Sequence, residues 1–309
     1  MIKIKAFLFA VLLFVSNIFG AVPCGYEVGE LLSDTAFRSG FEVLSPSGEH
    51  EGDFTFSDSS VPEWKIAQWN SKSSLWKNRA DSDGFTISDG IKTVSVNPEK
   101  NSVYMSIDAS KEYGGEPAGL DNWPHLLLEQ SPFKKDSEKA ELYSCINRII
   151  FSADIRLAEY VPTTNPDGVN AAQFLTYFYM TGTDNRSFIW FGLNLFDDRG
   201  LMETSWSRDF ADGAHNMIYT VSTKDTYGTK LRTLNKKGVS DKFTHISVDL
   251  TPYINDCVEK ANSDNTFGKK VSADDFYFSG MNIGFEMHGN IKCAVEAANL
   301  SLKSYIRKG

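Results

Sequence analysis

The segment 123–130, WPHLLLEQ, contains two residue types that transfer protons in enzymes. In an extended backbone, His125 and Glu129 share one face, and Leu126 and Leu128 share the other. Four residues of strand separate the two polar groups by about 13 Å, which excludes a direct pair but lets both line one groove. The alternative is an ordinary solvated face on which Glu129 is simply hydrogen-bonded.

Glu286 and His288 repeat these two residue types later in the chain, about 7 Å apart if the backbone is extended. Glycoside hydrolysis requires two carboxyl groups, one as acid and one as nucleophile or base. The sequence therefore predicts Glu129 and Glu286 as catalytic carboxylates, with His125 and His288 beside them in one cleft.

A polysaccharide lyase requires other groups, namely a neutraliser for the uronate carboxylate and a base whose pKa is near neutrality. Four residues could supply these roles: Arg156, Gln173, His125 and Tyr177. The sequence does not distinguish hydrolysis from lyase chemistry.

Aromatic and amide side chains alternate along two apolar segments. The first is predicted to present Gln173, Leu175, Tyr177 and Tyr179 on one face, and the second Trp190, Gly192, Asn194 and Phe196. Aromatic rings cover the apolar faces of sugars, while amides and guanidinium groups bond their hydroxyls. The predicted ligand-binding residues are Trp190, Tyr177, Gln173, Asn194 and Arg156. Packing in the core is the alternative for each aromatic residue.

Other catalytic signatures are absent from the sequence. It contains no nucleophile elbow, no zinc-protease motif, no phosphate-binding loop and no dinucleotide glycine pattern. Asp81–Gly84 and Asp197–Asp198 could hold a structural calcium, but both are too short for a full calcium loop, and a turn explains the first better. We expect no catalytic metal and no other cofactor.

Strand signals dominate the chain. Period-two alternation predicts strands at 151–157, 244–250 and 281–288, and the doubly apolar runs 172–180 and 188–196 are typical of central strands. Further strands are predicted at 85–87, 91–96, 103–107, 126–130, 217–221, 276–278 and 298–306. One clear helix is predicted, with Thr251 as its N-cap, Pro252 as its first residue and its end near Asn262. This pattern predicts an all-β fold, a two-sheet sandwich of jelly-roll type with one short helix.

The N-terminal segment has the layout of a secretory signal peptide. Lys3 and Lys5 precede the apolar run 6–15, and small residues follow up to Ala21. We expect cleavage after Gly20 and a single sandwich domain over 21–309, secreted or periplasmic. Losing the two lysines changes the formal charge from −9 to −11, which argues against nucleic acid and anionic membranes as partners.

Four cysteines remain after the predicted cleavage site. An even number in an oxidising compartment suggests two disulfides. We favour Cys257 with Cys293 and Cys24 with Cys145; buried free thiols are the alternative.

The segments 64–69, 123–130, 151–157 and 189–199 resemble a group of exported bacterial β-sandwich proteins that are mostly uncharacterised. The architecture is more distantly similar to concanavalin-like sandwiches, which include lectins, glucanases and alginate-lyase-like enzymes. The Glu-x-Asp-x-Glu and Gln-Ile-His strands of those enzymes are absent, so the resemblance assigns no catalytic residue.

Together these observations predict a secreted, carbohydrate-active sandwich protein. It would act on a polysaccharide or oligosaccharide through a groove on one sheet face, as a glycoside hydrolase or a polysaccharide lyase. Two alternatives stay open, a non-catalytic carbohydrate-binding module and a structural cell-surface protein.

Overall fold

A computed structural model describes residues 25–56, 61–80, 84–112, 123–133, 142–162, 170–200, 202–209, 216–222, 239 and 241–307. The predicted signal peptide, Cys24 and residues 81–83 of the candidate calcium loop lie outside these ranges. Within them, the structure contains no helix with the length and hydropathy needed to span a membrane.

Strands make up most of the described chain. Their bounds are β1 (Tyr26–Glu30), β2 (Phe41–Leu44), β3 (His50–Phe54), β4 (Trp64–Ala67), β5 (Thr86–Ser88), β6 (Lys92–Asn97), β7 (Ser102–Asp108), β8 (His125–Gln130), β9 (Ile146–Pro162), β10 (Ala171–Gly182), β11 (Phe188–Asp197), β12 (Ser205–Asp209), β13 (Asn216–Val221), β14 (Thr244–Asp249), β15 (Phe276–His288) and β16 (Ile291–Arg307). The helices are α1 (Ala109–Glu112) and α2 (Thr251–Ser263).

The strands form two sheets. The smaller sheet has the order β14-β9-β16-β7-β6-β5, with β1 paired to β16. The larger sheet has nine strands in the order β12-β13-β11-β10-β15-β8-β4-β2-β3. The predicted two-sheet sandwich is confirmed, and α2, with 13 residues, is the one predicted helix; α1 adds a single turn within the described ranges.

The core lies between the two sheets and follows from the alternation in the sequence. Phe151, Ala153 and Ile155 of β9 face inward and are fully buried. Across the interface, the ring of Phe178 on β10 lies 5.4 Å from the ring of Phe151. Each strand therefore buries one face in the core and turns its other face outward.

Helix α2 packs its apolar side against the sandwich, burying Ile254 and Val258. The prediction of this helix is confirmed, with one difference at its start. Leu250 occupies the N-cap position, and Thr251 is the first helical residue. Thr251 Oγ1 instead accepts a hydrogen bond from the backbone N–H of Ile149, so this side chain ties the start of α2 to β9.

The predicted disulfide between Cys257 and Cys293 is wrong, since both are buried free thiols. Helix α2 follows Leu250, whose backbone N–H bonds Ile149 near the start of β9. Cys293 pairs with Tyr160 near the other end of β9. Cysteines must approach within about 7 Å between Cα atoms to form a disulfide, and this topology begins α2 far from Cys293. Cys145 is also a free thiol, and its predicted partner Cys24 is not among the described residues.

Candidate functional site

The outer face of the large sheet carries side chains that point away from the core and are nevertheless buried. On β8, Leu126 and Leu128 belong to the core, so His125, Leu127 and Glu129 point outward. Leu127 is buried even so. Trp69 packs against Leu127, so other residues of the chain cover part of this outward face. We call the outward-facing side chains of β4, β8, β15, β10 and β11, with the loop residues that cover them, the groove face.

Strand register brings the predicted polar residues into one row across the sheet. His125 on β8 lies opposite Glu286 on β15, Glu286 lies opposite Gln173 on β10, and Gln173 lies opposite Asp197 on β11. Glu129 is on the same face, opposite Asn282. The prediction that His125, Glu129, Glu286 and His288 share one face is confirmed.

Glu286 is the least engaged acid of this row. Its side chain is half-buried, and no residue in the described part of the chain hydrogen-bonds its carboxylate. Burial lowers the pKa of His125, and the negative charge of Glu286 opposes this in part. His125 Nδ1 is buried and has no hydrogen-bond partner among the described residues. A neutral imidazole and a carboxylate thus lie side by side, and both retain atoms that can hydrogen-bond a ligand.

Glu129 is held more firmly. The indole Nε1 of Trp69 donates to its carboxylate at 3.1 Å. Trp69 also packs against an outward-facing apolar cluster that contains Ala67 and Leu127. Burial raises the pKa of Glu129, and the Trp69 hydrogen bond and the charge of Lys65 lower it by less. Glu129 therefore favours its protonated form more than an exposed glutamate does.

Glu129 and Glu286 lie on neighbouring strands, four residues apart in register. The sheet spacings then separate their Cα atoms by about 14 Å. Gly284 lies in the intervening row, so no side chain fills the groove face between them on β15. Leu127, opposite Gly284, is the outward-facing side chain of this row on β8.

His288 is on the groove face but is not accessible there. Its side chain is fully buried, and the ring of Trp123 covers it at 5.4 Å with an interplanar angle of 30°. Neither ring nitrogen has a partner among the described residues. His288 therefore supports Trp123 in this structure, whereas the sequence predicts a catalytic role beside Glu286.

Aromatic rings occupy the groove face on β10 and β11. Trp190 lies 4.9 Å from Tyr179 and 4.8 Å from Phe188, in both cases edge to face. Its indole Nε1 donates to Asp209 at 3.2 Å, which fixes the ring. Tyr177 leans across Gly192, where a Cβ atom would approach the Tyr177 ring to 2.5 Å. These rings form a half-buried patch of the kind that sugars contact.

Asn282 links the aromatic patch to Glu129. Its Oδ1 accepts a hydrogen bond from the backbone N–H of Tyr177 at 3.2 Å, and its side chain also bonds Tyr179. Burial raises the pKa of the Tyr179 hydroxyl, and the charge of Glu129 raises it further. Both Tyr179 and Tyr177 are therefore neutral hydrogen-bonding groups across the ordinary pH range.

Asp197 belongs to the site although the sequence offered it only as a calcium ligand. A β-bulge at Leu195 shifts the register of β11 against β10. As a result Asn194 and Asp197 both point to the groove face, while Phe196 joins the core. The sequence prediction that Phe196 shares a face with Asn194 is therefore wrong. A bulge leaves no signal in a period-two pattern.

Arg156 does not join the candidate site. It lies on β9 of the smaller sheet, between the core residues Ile155 and Leu157, so its side chain points to the outer face of that sheet. There it forms a 2.6 Å ion pair with Glu296. Alternation predicted correctly that Arg156 points away from the core, but β9 belongs to the opposite sheet.

The acidic pair Asp197–Asp198 does not form a calcium site. Asp198 accepts hydrogen bonds from the Tyr160 hydroxyl at 3.0 Å and the backbone N–H of Ala172 at 2.8 Å, and Asp197 is bonded by Arg199. These donors use the oxygens that calcium would need. Across the described ranges, no group of three or more His, Cys, Asp or Glu side chains is arranged to hold a metal ion.

A separate cavity of about 370 Å³ lies beside the β10–β11 turn. Asp184, Arg186, Ser187, Phe267 and Lys269 line it. Lys269 bonds Asp184 at 2.7 Å across this cavity. None of the predicted catalytic residues lies there, so we place the candidate site on the groove face.

Similarity to known proteins is confined to solved structures. No family model matches the chain, and no curated protein matches it. Solved structures of similar fold include a family 12 xyloglucanase from Bacillus licheniformis, with 10% identity over 78% of this chain and 92% of the other and a TM-score of 0.43. Endoglucanase 3 of Trichoderma harzianum, from family GH12, has 10% identity, coverage of 81% and 96%, and a TM-score of 0.36.

A family 11 xylanase from Neocallimastix patriciarum has 8% identity, coverage of 71% and 99%, and a TM-score of 0.34. At these identities the likeness is one of fold only.

Proposed function

We propose that the groove face binds a polysaccharide and hydrolyses it, with Glu286 and Glu129 as the two carboxyl groups. The observation that carries the proposal is Glu286, a half-buried carboxylate without a hydrogen bond from the described residues, flanked by His125 and Gln173. Partial burial of a carboxylate without a hydrogen-bond partner is unfavourable in a purely structural role. The neighbouring aromatic rings supply the apolar contacts that a sugar needs.

The surroundings of Glu129 and Glu286 indicate which of them acts as the acid and which as the base. Burial raises the pKa of Glu129, which suits a general acid that protonates the leaving oxygen. Glu286, beside His125, acts as the base. Hydrolysis with inversion needs carboxyl groups about 6.5–9.5 Å apart, whereas retention needs about 5–5.5 Å. The strand register places the Cα atoms of Glu129 and Glu286 about 14 Å apart. This wide spacing favours the larger of the two carboxyl separations and therefore supports inversion.

Lyase chemistry has less support. His125, Tyr177 and Gln173 lie on the groove face, but Arg156, the expected neutraliser of a uronate carboxylate, is on the other sheet. Arg199 lies near the site, but its guanidinium is bonded to Asp197 at 2.7 Å. Arg199 therefore has its Nε and one Nη2 donor engaged by a carboxylate of the chain itself.

A non-catalytic binding module is the second candidate function. The cluster of Phe188, Trp190 and Tyr179 favours it, because fixed aromatic rings bind sugars without any acid. This alternative predicts glycan retention with no cleavage, and with no dependence on Glu286.

The test is a polysaccharide panel of xyloglucan, hydroxyethyl cellulose, xylan, alginate and pectate, scored for retention, reducing ends and unsaturated ends. We expect the protein to release reducing ends from a neutral glycan. NMR should show that the new reducing end has the inverted anomeric configuration. Glu286→Gln should lower turnover by at least a hundredfold while retaining binding. Glu159→Gln, on the outer face of the smaller sheet, is the matched control and should retain full turnover.

Each other result has a clear reading. Retention without cleavage supports the binding module, unsaturated ends support a lyase, and wild-type turnover in Glu286→Gln contradicts the assignment of Glu286.

We also propose that the protein is exported after cleavage near Gly20 and consists of one domain over 21–309. N-terminal sequencing of the mature protein tests the cleavage site.

A further inference from the structure

Asp197 receives hydrogen bonds from nitrogen donors only. Gln173 Nε2 donates to it at 2.9 Å and Asn194 Nδ2 at 3.3 Å. Arg199 donates through its backbone N–H and Nε at 2.9 Å each, and through Nη2 at 2.7 Å. The Asp197 side chain is fully buried. Asp197 is therefore a buried carboxylate that five N–H donors hold in place.

The charge of Asp197 fixes the orientation of both amides. Burial by itself raises the pKa of Asp197, but the bonds from Arg199 and Gln173 outweigh burial and hold the pKa below its usual value. An ionised carboxylate accepts hydrogen bonds and donates none. Gln173 and Asn194 must therefore point their NH₂ groups at Asp197 and turn their oxygens away.

The amide oxygens of Gln173 and Asn194, which point away from Asp197, accept no hydrogen bond from the described residues. Gln173 Oε1 has no partner among the described residues, and Asn194 Oδ1 is buried and equally unpartnered within them. Glu286, whose carboxylate is also unbonded, lies opposite Gln173 on the next strand. This end of the groove face thus presents two acceptor groups, Gln173 Oε1 and the Glu286 carboxylate, and the nearby Arg199 directs Nε and Nη2 at Asp197.

We propose that Asp197, acting through Gln173, creates a subsite that recognises hydroxyl donors of an uncharged sugar unit. The proposal rests on the proposed glycan-binding function and makes Asp197 a positioning residue. A sugar hydroxyl can donate to Gln173 Oε1 or Glu286. A uronate carboxylate at the same place would be repelled by the Glu286 carboxylate and would receive no hydrogen bond from Gln173 Oε1. The subsite therefore selects neutral glycans over polyuronates.

The test is a double-mutant cycle on Asp197 and Gln173, measured by titration calorimetry. The probes are cellohexaose, xylohexaose and laminarihexaose, with hexagalacturonate as the charged comparison. Gln173→Met removes the amide oxygen and should weaken binding of the neutral probe about three- to tenfold, as expected for one neutral hydrogen bond. Asp197→Asn lets both amides reorient and should weaken it by a similar factor.

The decisive result is non-additivity. If Asp197 acts through Gln173, the double variant should bind about as weakly as Gln173→Met alone, because the same oxygen is lost in both. A merely structural Asp197 would give multiplied losses. Asp184→Asn, which removes a well-bonded carboxylate outside the groove face, is the control and should change thermal stability without changing affinity.

Three outcomes overturn the inference. Two of them are wild-type affinity in Asp197→Asn and multiplied losses in the double variant, and both leave the proposed function intact if the wild-type protein binds a neutral probe. Hexagalacturonate binding as tightly as the neutral probes would also contradict the subsite. If the wild-type protein binds none of the probes, the proposed function fails first and the subsite with it.

Discussion

The indole nitrogen of Trp69 donates to the carboxylate of Glu129 at 3.1 Å across the groove face. Trp69 follows β4, and its carbonyl accepts the backbone N–H of His125, so its ring reaches from the His125 end of β8 to Glu129. Trp69 therefore contacts two predicted catalytic residues, His125 through its backbone and Glu129 through its side chain. It buries Glu129 while supplying a donor, and these effects shift the pKa in opposite directions, with burial the larger.

Glu129 makes stability depend on pH with a defined sign. Its folded pKa is raised, so the folded protein binds the proton more tightly than the unfolded chain. The native state should therefore lose stability as pH rises from about 4.5, the ordinary glutamate value, through the folded pKa. Glu129→Gln should remove this loss. We would compare urea unfolding of both proteins from pH 4 to 8; parallel profiles would contradict the assignment.

Gly284 separates the rows of the two acids and should tolerate no side chain. A Cβ atom there would lie 2.1 Å from the Leu126 carbonyl oxygen and 2.8 Å from Leu127 Cα, both backbone atoms. Gly284→Ala should therefore destabilise the fold by about 1–3 kcal/mol, the usual cost of overpacking. Gly84→Ala is the control, because no atom lies within 4 Å of its Cβ position. Equal melting temperatures for the two variants would contradict the expected clash.

Lys92 is a fully buried cation, paired with Glu112 at 3.1 Å and Asp89 at 3.3 Å. It also donates to the backbone oxygen of Ser73 at 3.0 Å, which anchors the loop that follows Trp69. Lys92→Met would leave two buried carboxylates without their cation, so we expect a loss of about 3–5 kcal/mol in unfolding free energy.

The control for this cluster is an exposed lysine on the other sheet. Lys65 pairs with Glu42 at 3.1 Å in partial contact with solvent. Lys65→Met should cost at most about 1 kcal/mol, as surface ion pairs do. Chemical denaturation measures both variants. Similar losses for Lys92→Met and Lys65→Met would show that burial of the Lys92 cluster has little effect on stability.

Cys257 and Cys293 should behave as inert buried thiols. Burial raises the pKa of both well above the usual value, so little thiolate forms at neutral pH. We expect a thiol reagent to leave both unmodified in the native, non-reduced protein and to modify both after denaturation. Mass mapping of the labelled peptides identifies them. A protein with no reactive thiol after denaturation would restore the disulfide prediction.

The sequence by itself determined which residues share a face. Period-two alternation is a local property of an extended chain, so it correctly grouped His125 with Glu129, Glu286 with His288, and Gln173 with Tyr177. The same signal located the long strands. It missed β1 to β4 and β12, which are only four or five residues long and too short for a clear period.

Tertiary structure alone decided which faces meet. Strand order depends on pairing between distant segments, and no local pattern shows that β9 joins the other sheet and takes Arg156 away from the groove face. The bulge at Leu195 turned Asp197 toward Gln173, because one extra residue reverses every later side chain on the strand. Long-range contact likewise placed Trp123 over His288, so a residue on the correct face became inaccessible to ligand.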